Sequence, residues 1–291
     1  MSMPGTAPDG LGRTPLLGSP RHAARRVIQK HPWLFLRLVR GWKPQHSLLG
    51  EETELVLDGF TRSAVTFAAI AFQLAQDGHV RIAHHMHAAG PVVAAVRRNI
   101  PALIVVREPE PTVVSALLKW PRVTPRQWLK TYVAFYEAIS GYRDGFAVGT
   151  FDEVTSDFGA VTRRLNERFG TRFREFEHTR ENADAVFRLI DERAEGPPWQ
   201  PHLGRFVSGL ISAGEYRAAT EAFRARGADA HRRVSEMWVQ RPSRVREAAK
   251  AEVQKRYRAP ALADLRARAE EAYRMVAHVP IGSRDRDRDS R

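Results

Sequence analysis

The hydrophobic pattern changes character near residue 51. Before it, Pro4, Gly5, Pro8, Gly10, Gly12, Pro15, Gly18 and Pro20 crowd residues 1–22 with chain breakers, which predicts a flexible leader. Residues 23–42 mix Val27, Ile28, Trp33, Leu34, Leu36, Leu38 and Val39 with Arg25, Arg26, Lys30, Arg37 and Arg40, a pattern that can be helical with a break at Pro32. A basic amphipathic segment of this kind can lie on a membrane or pack onto the protein's own core. Beyond Glu51 short apolar runs alternate with longer helical stretches. The runs predict strands at 54–60, 80–85, 101–107 and 145–151. Between and after them the pattern predicts helices at 63–76, 91–99, 111–119, 127–142 and 156–169, the last ending at Gly170. The helix at 111–119 carries Pro in its first turn, where it is tolerated. Strands that are continuously apolar and alternate with helices indicate an α/β fold, a parallel β-sheet flanked by helices on both faces. From Glu195 onward no strand is evident. Helices are expected at 203–226, 230–238, 243–256 and from 260 to about 277, followed by an Arg/Asp tail at 284–291 expected to be disordered. The resulting division is a basic extension over 1–50, one domain over 51–283 (an α/β core at 51–194 and a helical C-terminal region at 195–283), and the tail.

Composition narrows the classes without naming one. The chain has 291 residues, 43% hydrophobic and 27% charged, ordinary for a globular protein, so wholesale disorder is excluded. The longest near-apolar run, 64–75, is interrupted by Thr66 and Gln73 and is far short of the roughly 20 residues a spanning helix needs. No continuous apolar h-region marks a secretory signal. With no cysteine, disulfides, zinc–thiolate sites and a cysteine nucleophile are out, and a cytoplasmic location of bacterial type is the default. Abundant arginine with little lysine points the same way, to a high-GC genome. The net charge of +13 is uneven: +7 over residues 1–50, −2 over 51–204, +7 over 205–258 and +1 over the remainder. Basic flanks suit nucleic acid, an acidic membrane surface, a polyanionic ligand, or simple solvation.

Three places carry chemistry. The first is the strand–loop–helix Leu55-Val56-Leu57-Asp58-Gly59-Phe60-Thr61-Arg62-Ser63-Ala64-Val65-Thr66-Phe67, where backbone N–H groups can converge on an anion at a helix N-terminus. It lacks the Gly-Lys-Ser/Thr ending of a Walker A loop. The second is Arg107 at the end of the third strand, with Ser115 eight residues on. Ligands of doubly wound sheets bind at such strand ends, and a guanidinium can clamp a phosphate there; pairing with Glu108 or Glu110 is the bland alternative. The third is Ala83-His84-His85-Met86-His87. In an extended segment His85 and His87 share a face and His84 points away. A metal site, structural histidines and a histidine base all remain open.

In this order the pieces resemble the sulfotransferases that use 3′-phosphoadenosine 5′-phosphosulfate (PAPS), a family of P-loop NTPase-like α/β fold, in its bacterial branch. Arg62-Ser63-Ala64-Val65-Thr66 stands for the family's Arg/Lys-Ser-Gly-Thr/Asn-Thr, and Arg107-Glu108-Pro109 with Ser115 for its Arg-Asp/Asn-Pro with Ser at +8. His85, 22 positions before Arg107, has the spacing of the family's base, and Gly149-Thr150-Phe151-Asp152-Glu153-Val154 is similar to its Tyr-Glu-Asp-Leu segment. Ala64 replaces the usual Gly and Val65 a hydroxyl or amide residue, and the late Arg-Lys-Gly motif of the cytosolic animal branch is absent; Arg241-Pro242-Ser243-Arg244 is a candidate substitute.

The resemblance implies a sulfuryl transfer from PAPS to a hydroxyl or amine. Thr61, Arg62, Ser63, Ala64, Val65 and Thr66 would cradle the 5′-phosphosulfate, with Arg62 neutralising the leaving oxygen. Arg107 and Ser115 would hold the 3′-phosphate and Phe67 the adenine. His85 would be the general base, and no metal is called for. The acceptor would be a small molecule or a carbohydrate. No specific nucleic-acid site is expected, peripheral membrane contact remains open, and the oligomeric state is unreadable. Trp120, Trp128, Tyr132 and Tyr136 suit an acceptor wall or a core equally. The alternatives are a nucleotide- or polyanion-binding protein on the same fold, and a P-loop kinase or NTPase, for which Asp58 is the only nearby magnesium carboxylate.

Overall fold

The computed structural model describes residues 47–195, 200–225 and 244–277. The leader, the basic segment at 23–42, the helix expected at 230–238, the Arg241–Ser243 stretch and the tail lie outside them. Four parallel strands form one sheet in the order β2-β1-β3-β4: β1 (Leu55–Gly59), β2 (Ile82–His84), β3 (Ala102–Val106) and β4 (Ala147–Thr150). Leu57 pairs with His84 on one side and Leu103 on the other. Successive side chains of a strand alternate between faces, and both faces are apolar here. Val56, Ala83, Ile104 and Val106 enter one core. Leu55, Leu57, Ile82, Leu103 and Val105 enter the other. That double burial is why the strands read as unbroken apolar runs.

The first core is covered by α2 (Ala89–Arg97), α3 (Pro109–Lys119), α4 (Pro125–Ser140), α10 (Arg244–Tyr257) and α11 (Ala263–Ala277). The second is covered by α1 (Val65–Ala75), α5 (Phe151–Ser156), α6 (Phe158–Phe169), α7 (Arg180–Glu195), α8 (Gln200–Val207) and α9 (Ala213–Ala225). Local chemistry sets several of the ends. Thr124 and Thr150 each form a reciprocal capping box, with Gln127 and Glu153, at the starts of α4 and α5. Gly170, at φ 66°, closes α6. Among the described residues no helix is long and apolar enough to cross a membrane.

The observed elements differ from the expected ones in three places. The helix expected at 156–169 begins directly after β4 and breaks at Asp157, which ends α5 and caps α6 through the Ala160 N–H. The helix expected at 203–226 is interrupted between Val207 and Ala213. At the break, Gly209 adopts φ 72°, and a Cβ on it would lie 1.7 Å from the Val80 carbonyl oxygen. This close approach lets the Ser208 carbonyl accept the Ile82 N–H (3.3 Å), so residues 207–209 run along the outer edge of β2. Gln73 ties the same edge, donating to the carbonyls of Val80 (2.8 Å) and Val207 (3.4 Å). The third difference is α7, which has no counterpart among the expected elements. Its buried row is thin, Val186 and Ile190, and the next position of that row is Arg193.

Candidate functional site

In the order β2-β1-β3-β4, the chain leaves β1 toward one edge of the sheet and β3 toward the other. The C-terminal ends of β1 and β3 therefore open where the winding reverses, the place where open α/β sheets take ligands. Gly59 ends β1 because nothing larger fits: a Cβ would lie 2.2 Å from the Val105 carbonyl oxygen and 2.8 Å from Ser63 Oγ. The loop then closes on itself, with the buried Ser63 hydroxyl donating to the Phe60 carbonyl at 2.6 Å. Arg62 and Ala64 take left-handed backbone, φ 69° and 71°. Ala64 is the N-cap of α1, and no side-chain cap accepts the first N–H groups of that helix. Those N–H groups and the positive end of the helix dipole are what an anion at this position would meet.

The second motif folds back onto the first. Arg62 Nε donates to Ser115 Oγ at 2.9 Å across 53 residues of sequence, and Arg107 Nη1 donates to the Arg62 carbonyl at 3.0 Å. The Arg107 guanidinium lies 3.7 Å from the centre of the Phe151 ring, a cation–π contact. Two phenols of α4 hold its backbone: Tyr132 donates to the Arg107 carbonyl at 2.6 Å, and Tyr136 accepts the Arg107 N–H at 3.3 Å. Burial raises the pKa of both phenols well above the ordinary tyrosine value, so they stay protonated. Both are fully buried core residues and do not line an acceptor wall.

The histidine segment is not extended. His85 and His87 both have left-handed φ, 57° and 49°. The turn is held by Asp58, fully buried at the end of β1. Its carboxylate accepts the N–H groups of Gly59 (2.9 Å), Met86 (3.0 Å) and His87 (3.1 Å to each oxygen). Asp58 is thus a latch for this turn, not a carboxylate open to magnesium as the kinase alternative would need. The expectation that His84 points away from His85 is wrong for the same reason. With the backbone turned at His85, the two rings meet edge to face, Nδ1 to Nδ1 at 2.5 Å.

The partners of His85 assign its protons. Arg193 Nη1 lies 3.1 Å from His85 Nε2, and an arginine can only donate. Nε2 is therefore the acceptor and the ring proton sits on Nδ1, which donates to His84 Nδ1. That leaves the His84 proton on Nε2, 2.9 Å from Ser208 Oγ. Thr66 Oγ1 lies 2.9 Å from the same Nε2 of His85. His87 takes a separate path, with Nδ1 donating to the Gly59 carbonyl at 2.9 Å.

Of the residues singled out in the sequence, Arg62, Ser115 and Arg107 form one cluster, and Thr66 joins His85 at the first turn of α1. Thr61 is half-buried in the loop and Val65 is buried in the core. Phe67 is enclosed: its ring stacks on His178 at 5.8 Å and touches Phe176 and Phe187. An adenine could stack on Phe67 only by displacing His178. The residues that sequence reasoning missed are Arg193, Ser208 and the latch role of Asp58. The one signal available was the i, i+4, i+7 row Val186-Ile190-Arg193, which places a charge where the helix calls for an apolar side chain. A separate groove of about 490 Å³ lies at the other end of α1, between α7 and α9, with Arg174, Arg188 and Arg217 among its walls and none of the motif residues.

No family model matches the sequence, and no curated protein matches it. Among solved structures the chain is similar to a mouse sulfotransferase, SULT7A1, complexed with PAP, at 13% identity and a TM-score of 0.38, over 75% of this chain and 93% of that one. A likeness that distant carries no argument about activity. What stands on the geometry is an α/β fold with a parallel sheet whose switch point gathers three arginines (Arg62, Arg107 and Arg193), a serine, a threonine and a histidine around an uncapped helix end.

Proposed function

We propose that the chain is a sulfotransferase that takes its sulfuryl group from PAPS and passes it to a hydroxyl or amine of a small molecule or carbohydrate. The observation that supports this best is the joining of two distant motifs into one anion-binding cluster, Arg62–Ser115–Arg107, beside the open N-terminus of α1. The loop N–H groups and Thr66 bind the 5′-phosphosulfate. Arg62 neutralises the charge that grows on the phosphate oxygen as its bond to sulfur breaks. Arg107 and Ser115 bind the 3′-phosphate. His85 Nε2 accepts the acceptor's proton while the acceptor's oxygen or nitrogen bonds to sulfur, and 3′,5′-adenosine bisphosphate (PAP) leaves. His84, receiving the Nδ1 proton of His85 in a hydrogen bond, orients the ring and stabilises the imidazolium that forms, the part played by the third group of a nucleophile–base triad. The cationic side chains and backbone amides supply the neutralisation, so the reading calls for no metal.

The test is calorimetric. PAP should bind at least about tenfold tighter than 5′-AMP, about 1.4 kcal/mol, and Arg107→Ala should erase most of that difference. Equal affinities would sink the 3′-phosphate subsite. One contact favours a second reading, a protein that binds the nucleotide without turnover: Arg193 occupies the lone pair of His85 that the reaction needs. Release of PAP from PAPS in the presence of a panel of hydroxyl and amine acceptors separates the two.

A further inference from the structure

Arg193 sits in an unusual place for a cation. It follows Val186 and Ile190 in the row that α7 buries against α1, and burial lowers its pKa below the ordinary arginine value. Its Nη1 reaches the same imidazole nitrogen as Thr66 Oγ1, so the guanidinium is brought to the first turn of α1 from the β2 side. On the β3 side, the side chain of Arg62, itself in the loop, turns to Ser115, and Arg107, stacked on Phe151, reaches the Arg62 carbonyl. Charge is thus supplied to both flanks of one helix end. His85 Nε2, the atom that must accept a proton, meanwhile carries a donor. A neutral imidazole is a weaker acceptor for guanidinium than a charged oxygen is.

We propose that Arg193 is a ligand-binding residue for the sulfuryl oxygens of the donor, and that this contact replaces its contact with His85. The proposal rests on the PAPS reading above. In the free protein Arg193 holds the lone pair of His85. When PAPS binds, the sulfonate oxygens draw the guanidinium away while the Thr66 hydroxyl turns to the 5′-phosphosulfate, and Nε2, which both groups contact in the free protein, is released to the acceptor. PAP has no sulfuryl group, so with PAP bound Arg193 stays on His85. The base is then available only when there is something to transfer.

The experiment compares PAPS with PAP in calorimetry, without acceptor, on the wild type, Arg193→Met and Arg193→Lys. Methionine continues the apolar row, and lysine keeps the charge while losing the planar fork. The wild type should prefer PAPS over PAP by about tenfold or more, as expected for a charged hydrogen bond. Arg193→Met should bring the ratio close to one with PAP affinity little changed, and Arg193→Lys should retain part of it. Nitrogen-15 spectra of labelled histidine provide the second readout. The His85 Nε2 signal should be that of an acceptor in the free and PAP-bound wild type, change on adding PAPS, and be altered in free Arg193→Met. An unchanged PAPS/PAP ratio in both variants would overturn the assignment of Arg193 and leave the donor reading intact. Failure of the wild type to bind either nucleotide would overturn the donor reading and this inference with it.

Discussion

Replacing Ala64 by glycine should stabilise the protein. Ala64 has φ 71° and ψ 17° at the N-cap of α1. For a residue with a Cβ this left-handed conformation costs about 1–2 kcal/mol, because the Cβ crowds the neighbouring carbonyl oxygen. Glycine adopts it without that cost but loses about 0.5–1 kcal/mol to the greater freedom of its unfolded chain. The methyl group is only partly buried against the α1-side core, so little packing is lost with it. The net expectation is a gain of about 0.5–1 kcal/mol, or roughly 1–4 °C in Tm for a chain of this size. Urea denaturation should show a higher midpoint at unchanged slope. Ala64→Val is the counterpart, since a β-branched side chain is a poor fit to positive φ, and it should lower stability by about 1 kcal/mol or more. PAP affinity of the glycine variant should stay near wild type, because the loop shape is already the one glycine favours. A loss of stability in Ala64→Gly together with no loss in Ala64→Val would refute the left-handed geometry.

Three further outcomes follow from other contacts. Asp58→Asn replaces one of the two acceptor oxygens of the latch by a donor facing N–H groups; about 2–4 kcal/mol of stability should be lost, and the His85 and His87 resonances should shift together. Tyr136→Phe removes the acceptor of the Arg107 N–H, so denaturation should show a loss of about 1 kcal/mol and calorimetry a weaker preference for PAP over 5′-AMP. Glu270 has its pKa raised by burial and by the nearby Glu108. A carboxyl raised on folding contributes stability that is present at low pH and lost as the pH climbs through its folded value, so Glu270→Gln should raise Tm slightly at pH 7 and leave it unchanged near pH 3.

The sheet was legible because its strands are short, apolar on both sides and punctuated: Leu55-Val56-Leu57 before Asp58-Gly59, and Ala102 to Val106 between Pro101 and Arg107. The order of motifs pointed to one crevice, and the structure brings Arg62, Arg107 and Ser115 to it. The His84–His85 pair could not be read in the same way. Strand alternation assumes an extended chain, and the turn at His85 depends on a carboxylate 27 residues earlier that looked like a candidate metal ligand. The enclosure of Phe67 was hidden for a related reason. The surface that encloses it comes from Phe176, His178 and α7, an element whose hydrophobic row was too sparse to see. Arg193 is the extreme case, since the residue that reaches the histidine is the one that spoils the pattern by which its helix would have been found.

The strip 207–209 along β2 has a consequence for how the protein can be divided. β2 has three residues and stands at the margin of the sheet, and a naked margin is a template for pairing with another molecule. Ser208 both occupies that margin, through the Ile82 N–H, and ends the chain of contacts that runs from His85 through His84. A fragment cut at residue 194 would therefore lose its protection against self-association and the last link of its histidine relay in a single cleavage. The C-terminal helices belong to the heredity of the sheet: gene fragments that separate them from it should yield aggregates, and domain shuffling should have moved the two together or not at all.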